Sequence, residues 1–560
     1  MFVYSYLSVA ENQRIISAHN AADRCILWRA IIEFLSRRPT LIKAAKRGNF
    51  APAVELVLPL LVFILAAFVY GMYGSDGILL RDYSIYLYSG QRVAEGIPPY
   101  VGIFDHKGPL SPMITGLGVV LSGLLNWDDI YTVRLVFFTA GCLTVVAIYL
   151  LGRSMFRSQA AGFFAALTFL GFYGYAQPAT SGPEPKTPMV LFEALCLFFA
   201  SQKRWFWSGL FGTLAGLVWQ PMATFALVAL LLAVTRPKEE RFSAILRTVA
   251  GIAIPLATIV AYFYYHGALS NLLGGFVLFN VLYLVRGGYG GLGQLAGASG
   301  NVVAPYGTML VPIIIGLFII VRLYFRRPYE YRLAPLLLSL PAPILWSLKD
   351  FQLADDFYVF LPYAAVGFGA FVAYALRRAS APRLIATFLA AILLAVALAN
   401  TLEMFNANAA YKLVGTTTRL SDQREGISAI EDRFGEDVRA ASVGSPQVMV
   451  LLHQKNPNPY LWISAGVDRY IDAREPGGFE GWVENLKQYD PDVISFFANG
   501  QTLFSQHLTS EHRQQLAAWL NSNYHREKIG PWWLYVKNSL GNTREHTQVT
   551  DEDQKILARP

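Results

Sequence analysis

The amino-acid sequence predicts an α-helical polytopic membrane protein with about 11–13 transmembrane helices and a C-terminal extracytoplasmic α/β domain. Three observations predict this fold class. Apolar residues make up 54% of the 560 residues and charged residues only 15%, whereas soluble chains average roughly 25% charged residues. The mean hydropathy is +0.38. Long apolar stretches recur up to residue 400, and an ordinary soluble composition follows only after them.

The predicted transmembrane region, residues 51–404, is built from stretches close to the roughly 20 residues that cross a bilayer. The stretches 206–219 and 221–235 are either two helices or one helix kinked at Pro221. A cytoplasmic N-terminus and an outer C-terminus require an odd number of crossings, which favours about 11 or 13 spans. The candidate spans are 54–73, 110–126, 131–152, 160–177, 187–201, 206–219, 221–235, 244–265, 306–325, 332–348, 356–376 and 383–400.

Positive charge lies in short clusters between the apolar stretches, for example at Arg37-Arg38, Lys203-Arg204 and Arg326-Arg327. Such clusters mark cytoplasmic loops. They predict a cytoplasmic N-terminal segment at 1–50 and a multi-pass protein of the plasma (inner) membrane. The net charge of +8 therefore indicates orientation in a lipid bilayer. We expect no nucleic-acid partner, because nucleic-acid binding requires one continuous basic face.

Residues 405–541 have the composition of a small extracytoplasmic α/β domain, and a polar tail follows at 542–560. Aromatic side chains at Tyr460 and Trp462, close to His453, suit stacking on a sugar, but core packing is the preferred interpretation. Short β-type runs at 448–452, 493–497 and 532–536 alternate with helix-like segments at 428–434, 479–489 and 511–522.

The predicted first external loop, residues 74–109, concentrates charged residues directly after a spanning helix. Asp82-Tyr83 opens an amphipathic pattern, continued by Tyr86, that predicts a helix lying at the membrane surface. The Gly-Ile-Pro-Pro-Tyr sequence at 96–100 ends this helix. The Asp-His-Lys-Gly-Pro sequence at 105–109 then leads back into the bilayer.

The charged groups of this loop suit acid–base and phosphate chemistry. Asp82 can accept a proton from an incoming hydroxyl group as a general base, while Lys107 and Arg81 can hold a phosphate leaving group. Asp82 also suits a helix cap or an ion pair, and Lys107 suits a lysine snorkelling to the interface. Arg286, beside the Gly-rich stretch 287–300, suits either a lipid-phosphate contact or an interfacial anchor.

This order of features resembles the GT-C superfamily, the integral-membrane glycosyltransferases that use polyprenyl-phosphate-linked sugars. The shared features are an Asp near the start of a long external loop, a Tyr-rich surface helix and the return Lys107-Gly108-Pro109. Arg134-Leu135 and the Ser-Gly-Pro-Glu-Pro loop at 181–185 fit the same pattern. The families most similar in appearance are the protein O-mannosyltransferases and the lipid A aminoarabinose transferases. The resemblance is detailed over 54–235 and architectural elsewhere.

The resemblance implies a hexosyl- or pentosyltransferase acting on the extracytoplasmic face. A sugar would move from a polyprenyl-phosphate donor to an acceptor hydroxyl, with inversion at the sugar and Asp82 as the base. The acceptor class stays open between a glycan, a glycolipid and a protein. The substrate-binding residues implied by the resemblance are Tyr83, Tyr86, Asp105, His106, Glu184 and Lys186. His106 is expected to line the acceptor site or to be structural rather than catalytic.

We expect no bound cofactor, because a lipid phosphate requires only cationic side chains. The first loop contains no Asp-x-Asp sequence, which leaves a divalent metal without support. The adjacent acids Asp128-Asp129 and Asp355-Asp356 lie at predicted helix ends, where capping is the preferred interpretation.

Two other classes of protein are weighed against the glycosyltransferase. A secondary transporter or lipid flippase with an external accessory domain would carry ionisable residues inside its spans. Here the acids lie in loops, apart from Glu55 and Glu193 near helix ends. A non-catalytic membrane anchor for the outer domain would leave the charged first loop without a purpose. A role of the outer domain in acceptor selection is a hypothesis that rests only on its position.

Overall fold

The computed structural model describes residues 51–283, 310–326, 331–349, 354–413, 419–463, 466–496 and 508–540. The predicted cytoplasmic segment 1–50, Arg286, the Gly-rich stretch 287–300 and the polar tail 542–560 lie outside the described residues. By its contacts the chain divides after residue 61, and apart from the bounds of the first helix the description below concerns residues from 62 onward.

Helices dominate the chain up to residue 413. Short 3-10 turns lie at Gln220–Met222, Tyr331–Leu333 and Ala354–Phe360, and a π-helical segment covers Leu273–Tyr283. The α-helices are α1 (Ala51–Gly71), α2 (Arg81–Ala94), α3 (Leu110–Leu125), α4 (Asp129–Phe156), α5 (Gln159–Leu170), α6 (Tyr173–Ser181), α7 (Lys186–Ser201), α8 (Trp205–Val218), α9 (Ala223–Val234), α10 (Lys238–Tyr265), α11 (Leu269–Leu272), α12 (Leu310–Phe325), α13 (Ala334–Ser339), α14 (Pro341–Lys349), α15 (Leu361–Leu376) and α16 (Pro382–Leu413).

Several helices of the described chain can cross a membrane. Five helical stretches are long and apolar enough by length and composition, and the described chain also has shorter apolar helices such as α3 and α9. The five stretches are Asp129–Phe156, Lys238–Tyr265, Tyr331–Leu348, Asp356–Leu376 and Pro382–Ala399. The prediction of a mostly helical, multi-pass membrane region is confirmed.

Two predicted spans are interrupted in the structure, and the stretch with two interpretations forms two helices. The stretch 206–235 forms two helices, α8 and α9, because Pro221 has no N–H group to continue the first helix. The stretch 160–177 breaks after Leu170, where the chain turns into α6. The stretch 332–348 divides into α13 and α14, and the second of these begins at Pro341.

The last part of the chain forms an α/β domain, as predicted. Its sheet has the strand order β1-β2-β4-β3, with β1 parallel to β2 and the other neighbours antiparallel. Its elements are α17 (Leu420–Phe434), β1 (Ala440–Ser442), α18 (Gln447–Leu451), α19 (Val467–Arg474), α20 (Gly478–Tyr489), β2 (Val493–Ser495), α21 (Ser510–Asn523), β3 (Tyr524–Ile529) and β4 (Trp532–Lys537).

Two strands of this domain differ from the prediction. The apolar run 448–452 is the short helix α18, which follows Pro446, and the strand before it is Ala440–Ser442. A buried apolar run of this length does not distinguish a strand from a helix. Strand β3 was not predicted, because its charged sequence Tyr-His-Arg-Glu-Lys-Ile lacks an apolar alternation. It pairs with β4 along its whole length.

Helix α2 was predicted to lie at the membrane surface, and the structure shows what covers it. Residues 83–92 of α2 are all buried. Tyr83 and Tyr88 belong to one hydrophobic core that also contains Leu420, Trp462 and Val493 from the α/β domain. The loop helix and the C-terminal domain therefore share a core, although they are more than 300 residues apart in sequence.

Polar contacts reinforce this shared core. Gln423 of α17 is buried and makes two hydrogen bonds to the backbone of Leu79. Its Oε1 accepts the Leu79 N–H at 2.7 Å, and its Nε2 donates to the Leu79 carbonyl at 3.1 Å. Asp128 caps α4 by accepting the Tyr131 N–H at 3.0 Å, as predicted, and also pairs with Arg424 of α17 at 2.5 Å.

Candidate active site

The beginning of the loop segment 74–109 is anchored by Arg134, a fully buried residue of α4. Its Nη1 donates to the Ser75 carbonyl, and its Nη2 donates to the Gly77 carbonyl at 2.7 Å. Its Nε donates to the Gly182 carbonyl at 3.2 Å. One guanidinium group thus joins the start of this loop to the turn that precedes Glu184.

Asp82 lies in the first turn of α2, where a carboxylate is favoured by the helix dipole. It does not cap the helix, since the N-cap position is Leu80. Its Oδ1 instead accepts hydrogen bonds from Nε and Nη2 of Arg81, both at 2.8 Å. The Asp82 side chain is 38% exposed, unlike the buried residues that follow it. A substrate hydroxyl can therefore reach the second carboxylate oxygen.

The backbone of the return segment 105–108 is held by side chains on several sides. The Asp105 side chain is buried, and its Oδ1 accepts the N–H groups of His106 at 2.7 Å and Lys107 at 3.2 Å. The His106 carbonyl accepts hydrogen bonds from Gln220 at 2.6 Å and Asn280 at 2.7 Å. Asp105 therefore shapes the turn that presents its two neighbours.

Gly108 completes this turn against the end of α8. Its N–H donates to the Val218 carbonyl at 3.1 Å. A Cβ atom at this position would lie 1.8 Å from the Leu217 carbonyl oxygen. Only glycine allows such an approach of two backbones. The Lys107-Gly108-Pro109 sequence therefore requires glycine at its central position.

Lys107 is directed towards helix α2. Its Nζ lies 5.3 Å from the centre of the Tyr86 ring, and its carbonyl accepts the Tyr100 hydroxyl at 2.5 Å. Burial, reinforced by the Asp105 carboxylate, raises the pKa of Tyr100 well above its ordinary value, so this hydroxyl stays a donor. Asp82 and Tyr86 are four residues apart on one helix face, which brings the ammonium group to the same face as the candidate base.

The remaining aromatic and imidazole groups of the first loop differ in exposure. Tyr83 is buried in the core shared with the α/β domain. The His106 ring is 22% exposed and lies between Phe279 and Trp462, with ring centres 5.5 and 5.7 Å away. Trp462 is itself buried, which agrees with the core role preferred for it. His106 therefore lies at the edge of the site and Tyr83 beneath it.

Glu184 and Lys186 lie where the Ser-Gly-Pro-Glu-Pro loop at 181–185, the second loop of the site, leads into α7. The Glu184 Oε1 accepts the Lys186 N–H at 3.2 Å. The Lys186 Nζ contacts the Asp356 Oδ1 at 2.5 Å and lies 4.8 Å from the centre of the Trp219 ring. Asp356 was expected to cap a helix. It lies inside a 3-10 turn instead, where its buried carboxylate pairs with the Lys186 ammonium group.

The two loops meet at the junction of α8 and α9. Trp219 lies beside the Lys186 ammonium group, and the next residue, Gln220, holds the His106 carbonyl. The arrangement provides a partly exposed carboxylate at Asp82, a lysine beside the Tyr86 ring one helical turn further along α2, and a buried lysine, Lys186, across the junction. Such a set can accept a proton and stabilise a departing phosphate.

The chain is similar to known glycosyltransferases in part of its sequence and in its fold. The profile of the family described as dolichyl-phosphate-mannose-protein mannosyltransferase matches residues 106–265. The apo structure of ArnT from Cupriavidus metallidurans matches with a TM-score of 0.57 at 13% identity, covering 88% of this chain and 100% of that chain. The same protein bound to undecaprenyl phosphate matches with a TM-score of 0.56 at 12% identity, covering 89% and 100%.

An oligosaccharyltransferase of Archaeoglobus fulgidus in its apo form matches with a TM-score of 0.52 at 12% identity, covering 88% of this chain and 75% of that chain. No curated protein sequence matches. The chain is similar in fold to these transferases, and its residues 106–265 are similar in sequence to the mannosyltransferase family. These similarities support a membrane glycosyltransferase, while the fold by itself names neither sugar nor acceptor.

Several residues of this candidate site were not singled out as site residues from the sequence. Arg134 was noted only as part of a family pattern, and Asp356 only as a capping residue. Trp219 and Gln220 were not noted, although Pro221 next to them was. Their contacts join residues that are far apart in sequence, so no local pattern indicates them.

The expected absence of a bound metal and the role of Arg286 stay predictions. Among the residues that the structure describes, no three His, Cys, Asp or Glu side chains lie close enough together to hold a metal ion. Arg286 lies outside the described residues.

Proposed function

We propose that this protein transfers a sugar from a polyprenyl-phosphate donor to an acceptor hydroxyl on the extracytoplasmic face of the membrane. The observation that carries the proposal is the accessible Asp82 carboxylate at the start of α2, on the same face as the Tyr86 ring beside the Lys107 ammonium group. The fold of ArnT, one structure of which holds undecaprenyl phosphate, supports the donor class.

In the proposed reaction, Asp82 takes the proton of the acceptor hydroxyl as that oxygen forms a bond to the anomeric carbon. The bond from the anomeric carbon to the phosphate oxygen breaks, and its electron pair leaves with polyprenyl phosphate. Attack opposite the leaving group inverts the configuration at the sugar. Lys107 stabilises the negative charge that develops on the phosphate.

Arg81 is better suited to positioning the base than to the phosphate contact expected from the sequence. Both of its contacting nitrogens share Oδ1 of Asp82. This arrangement orients the carboxylate and directs Oδ2 towards an acceptor. Glu184 is the next candidate base. It follows Gly182, whose carbonyl accepts a hydrogen bond from Arg134, the residue that also holds the start of the first loop.

The transporter alternative is favoured by one described feature, the Glu193 carboxyl group of α7. It is fully buried, and neither of its oxygens has a hydrogen-bond partner among the described residues. Ionisable residues inside spans are typical of transporters. The GT-C fold and the family profile outweigh this single residue, so the glycosyltransferase stays the preferred function.

The test is sugar transfer in membranes supplied with a panel of radiolabelled polyprenyl-phosphate sugars. Removal of a general base should reduce the transfer rate by about 10²–10⁴-fold in Asp82→Asn. Asp432→Asn makes the same chemical change at an exposed position of α17 and should leave the rate unchanged. Normal transfer by a folded Asp82→Asn protein would assign the base elsewhere, with Glu184→Gln tested next.

A further inference from the structure

Arg92, near the end of α2, has more hydrogen-bonding capacity than its surroundings satisfy. The residue is 2% exposed. Its Nη2 pairs with the Glu95 Oε1 at 2.9 Å, and its guanidinium carbon lies 5.0 Å from the centre of the Tyr88 ring. Its Nε and Nη1 are buried without a hydrogen-bond partner among the described residues. Native proteins rarely leave charged N–H groups in this condition.

Lys455 and Asn456 of the α/β domain lie against the same place, and Asn458 follows two residues later in the chain. The Lys455 Nζ pairs with the Glu95 Oε2 at 3.1 Å, and the Asn456 N–H donates to the Tyr88 hydroxyl at 2.9 Å. The Asn458 Nδ2 is also buried without a partner among the described residues. Its Oδ1 accepts the Tyr460 N–H at 3.0 Å, which fixes the orientation of the amide.

The side chains of Arg92, Lys455 and Asn458 offer more hydrogen-bond donors than the surrounding residues accept. Arg92 and Lys455 supply two positive charges, and Glu95 is the carboxylate that both of them contact. The unused groups of Arg92 and Asn458 are N–H donors, so their complement is a ligand with oxygen acceptors and negative charge. The rim is open to solvent, since the side chain of Lys455 is 63% exposed and that of Glu95 is 38% exposed.

We propose that Arg92, Lys455 and Asn458 bind an anionic oxygen group, a carboxylate or a phosphate, on the acceptor. This inference rests on the proposed function, and it narrows the acceptor to a molecule that carries an acidic group. Arg92 lies ten residues after Asp82 on the same helix, which corresponds to about 15 Å at a rise of 1.5 Å per residue. The acidic group then lies at about that distance from the reacting hydroxyl.

The first experiment measures anion binding by the full-length protein in detergent, using isothermal titration calorimetry at constant ionic strength. The probes are inorganic phosphate and acetate, titrated separately to distinguish a phosphate from a carboxylate. Titrations are carried out in the Lys107→Gln background, so that the proposed donor-phosphate contact does not contribute. We expect saturable binding of at least one probe.

Asn458→Asp is the decisive variant. It keeps the shape of the side chain and the oxygen that accepts the Tyr460 N–H, but it replaces the unpaired N–H donors with a carboxylate. Loss of a hydrogen bond to a charged group, with added repulsion, should weaken anion binding by roughly tenfold to a hundredfold. Lys487→Gln removes one surface lysine of α20, which pairs with Glu484 rather than Glu95, and should leave binding unchanged.

Two results would overturn the proposal. One is the absence of saturable binding of either probe, which would mean that water satisfies these donors. The other is binding by Asn458→Asp within twofold of the parent protein. The transfer assay separates this failure from failure of the proposed function. If neither probe binds but sugar transfer still depends on Asp82, the anion site is wrong and the proposed function stands. If Asn458→Asp abolishes anion binding but the protein transfers no sugar, the anion site exists on a protein of another function.

Discussion

At the scale of single residues, the site combines accessible and buried charge. Asp82 and Arg81 form an ion pair that is partly exposed, whereas Lys186 and Asp356 form one that is buried. Exposed pairs contribute little to stability, while breaking a buried pair leaves an uncompensated charge in a medium of low dielectric constant. The two pairs therefore predict different responses to mutation.

Lys186→Met tests whether this lysine is structural or contacts substrate. Removal of its charge leaves the Asp356 carboxylate without that partner, and the expected cost is about 3–5 kcal/mol of unfolding free energy. The double variant Lys186→Met/Asp356→Leu should recover most of this loss. Thermal unfolding in detergent measures both, and Lys487→Met at an exposed site should change stability by less than about 0.5 kcal/mol. Lost transfer activity with unchanged stability would instead indicate a substrate contact.

At the scale of elements, the return of the first loop depends on one close backbone contact. Gly108 packs against the last turn of α8, and that turn leads directly to Trp219 and Gln220. The return segment of the first loop is thus positioned by the end of α8. Tyr100, whose hydroxyl holds the Lys107 carbonyl, has a positive φ of 66°, an uncommon backbone conformation for a residue of its size.

Gly108→Ala should displace this return segment. Its new Cβ atom would meet the Leu217 carbonyl oxygen at 1.8 Å, and backbone atoms on both sides prevent an inexpensive adjustment. We expect a loss of about 1–3 kcal/mol or more in stability, together with reduced transfer activity because Lys107 moves. Gly123→Ala in α3 is the matched control, since a Cβ there meets no atom within 4 Å. An unaffected Gly108→Ala protein would show that this contact does not position the site.

The secondary structure shows which elements sequence patterns specify. Strand β4 and helices α17, α20 and α21 were predicted, because each has an apolar periodicity or flanking turn residues. Helix α18 was predicted as a strand, since five apolar residues fit either element. Strand β3 was missed because its stability comes from pairing with β4, which no local pattern reveals.

At the scale of the whole molecule, the C-terminal domain is part of the structure around the site. It shares a hydrophobic core with α2, and Gln423 holds Leu79 just before that helix begins. Phe104, one residue before Asp105, donates its N–H to the Pro459 carbonyl at 2.7 Å. Removal of the domain would therefore expose the buried face of α2.

Truncation after residue 418 should destabilise the loop segment 74–109 as well as remove the domain. The apolar side chains of α2 lose their cover, at a cost of about 25 cal/mol for each Å² newly exposed to water. Limited trypsin digestion should then cleave after Arg92 and Lys107, which are protected in the full chain. Removal of the polar tail 542–560 alone should not change the digestion pattern. A truncated protein with a resistant loop and intact donor binding would show that the first loop folds independently.

The sequence by itself determined the class of the molecule and suggested the candidate chemistry. Hydropathy identified a multi-pass membrane protein, and the order of an Asp, a Tyr-rich helix and a Lys-Gly-Pro return resembled the GT-C glycosyltransferases, because these are local features. Only the tertiary structure decided which groups meet. Arg134 joins two loops, Asp356 pairs with Lys186, and the C-terminal domain covers α2. Such contacts depend on side chains that chain folding brings together from hundreds of residues apart, so they leave no mark on neighbouring positions in the sequence.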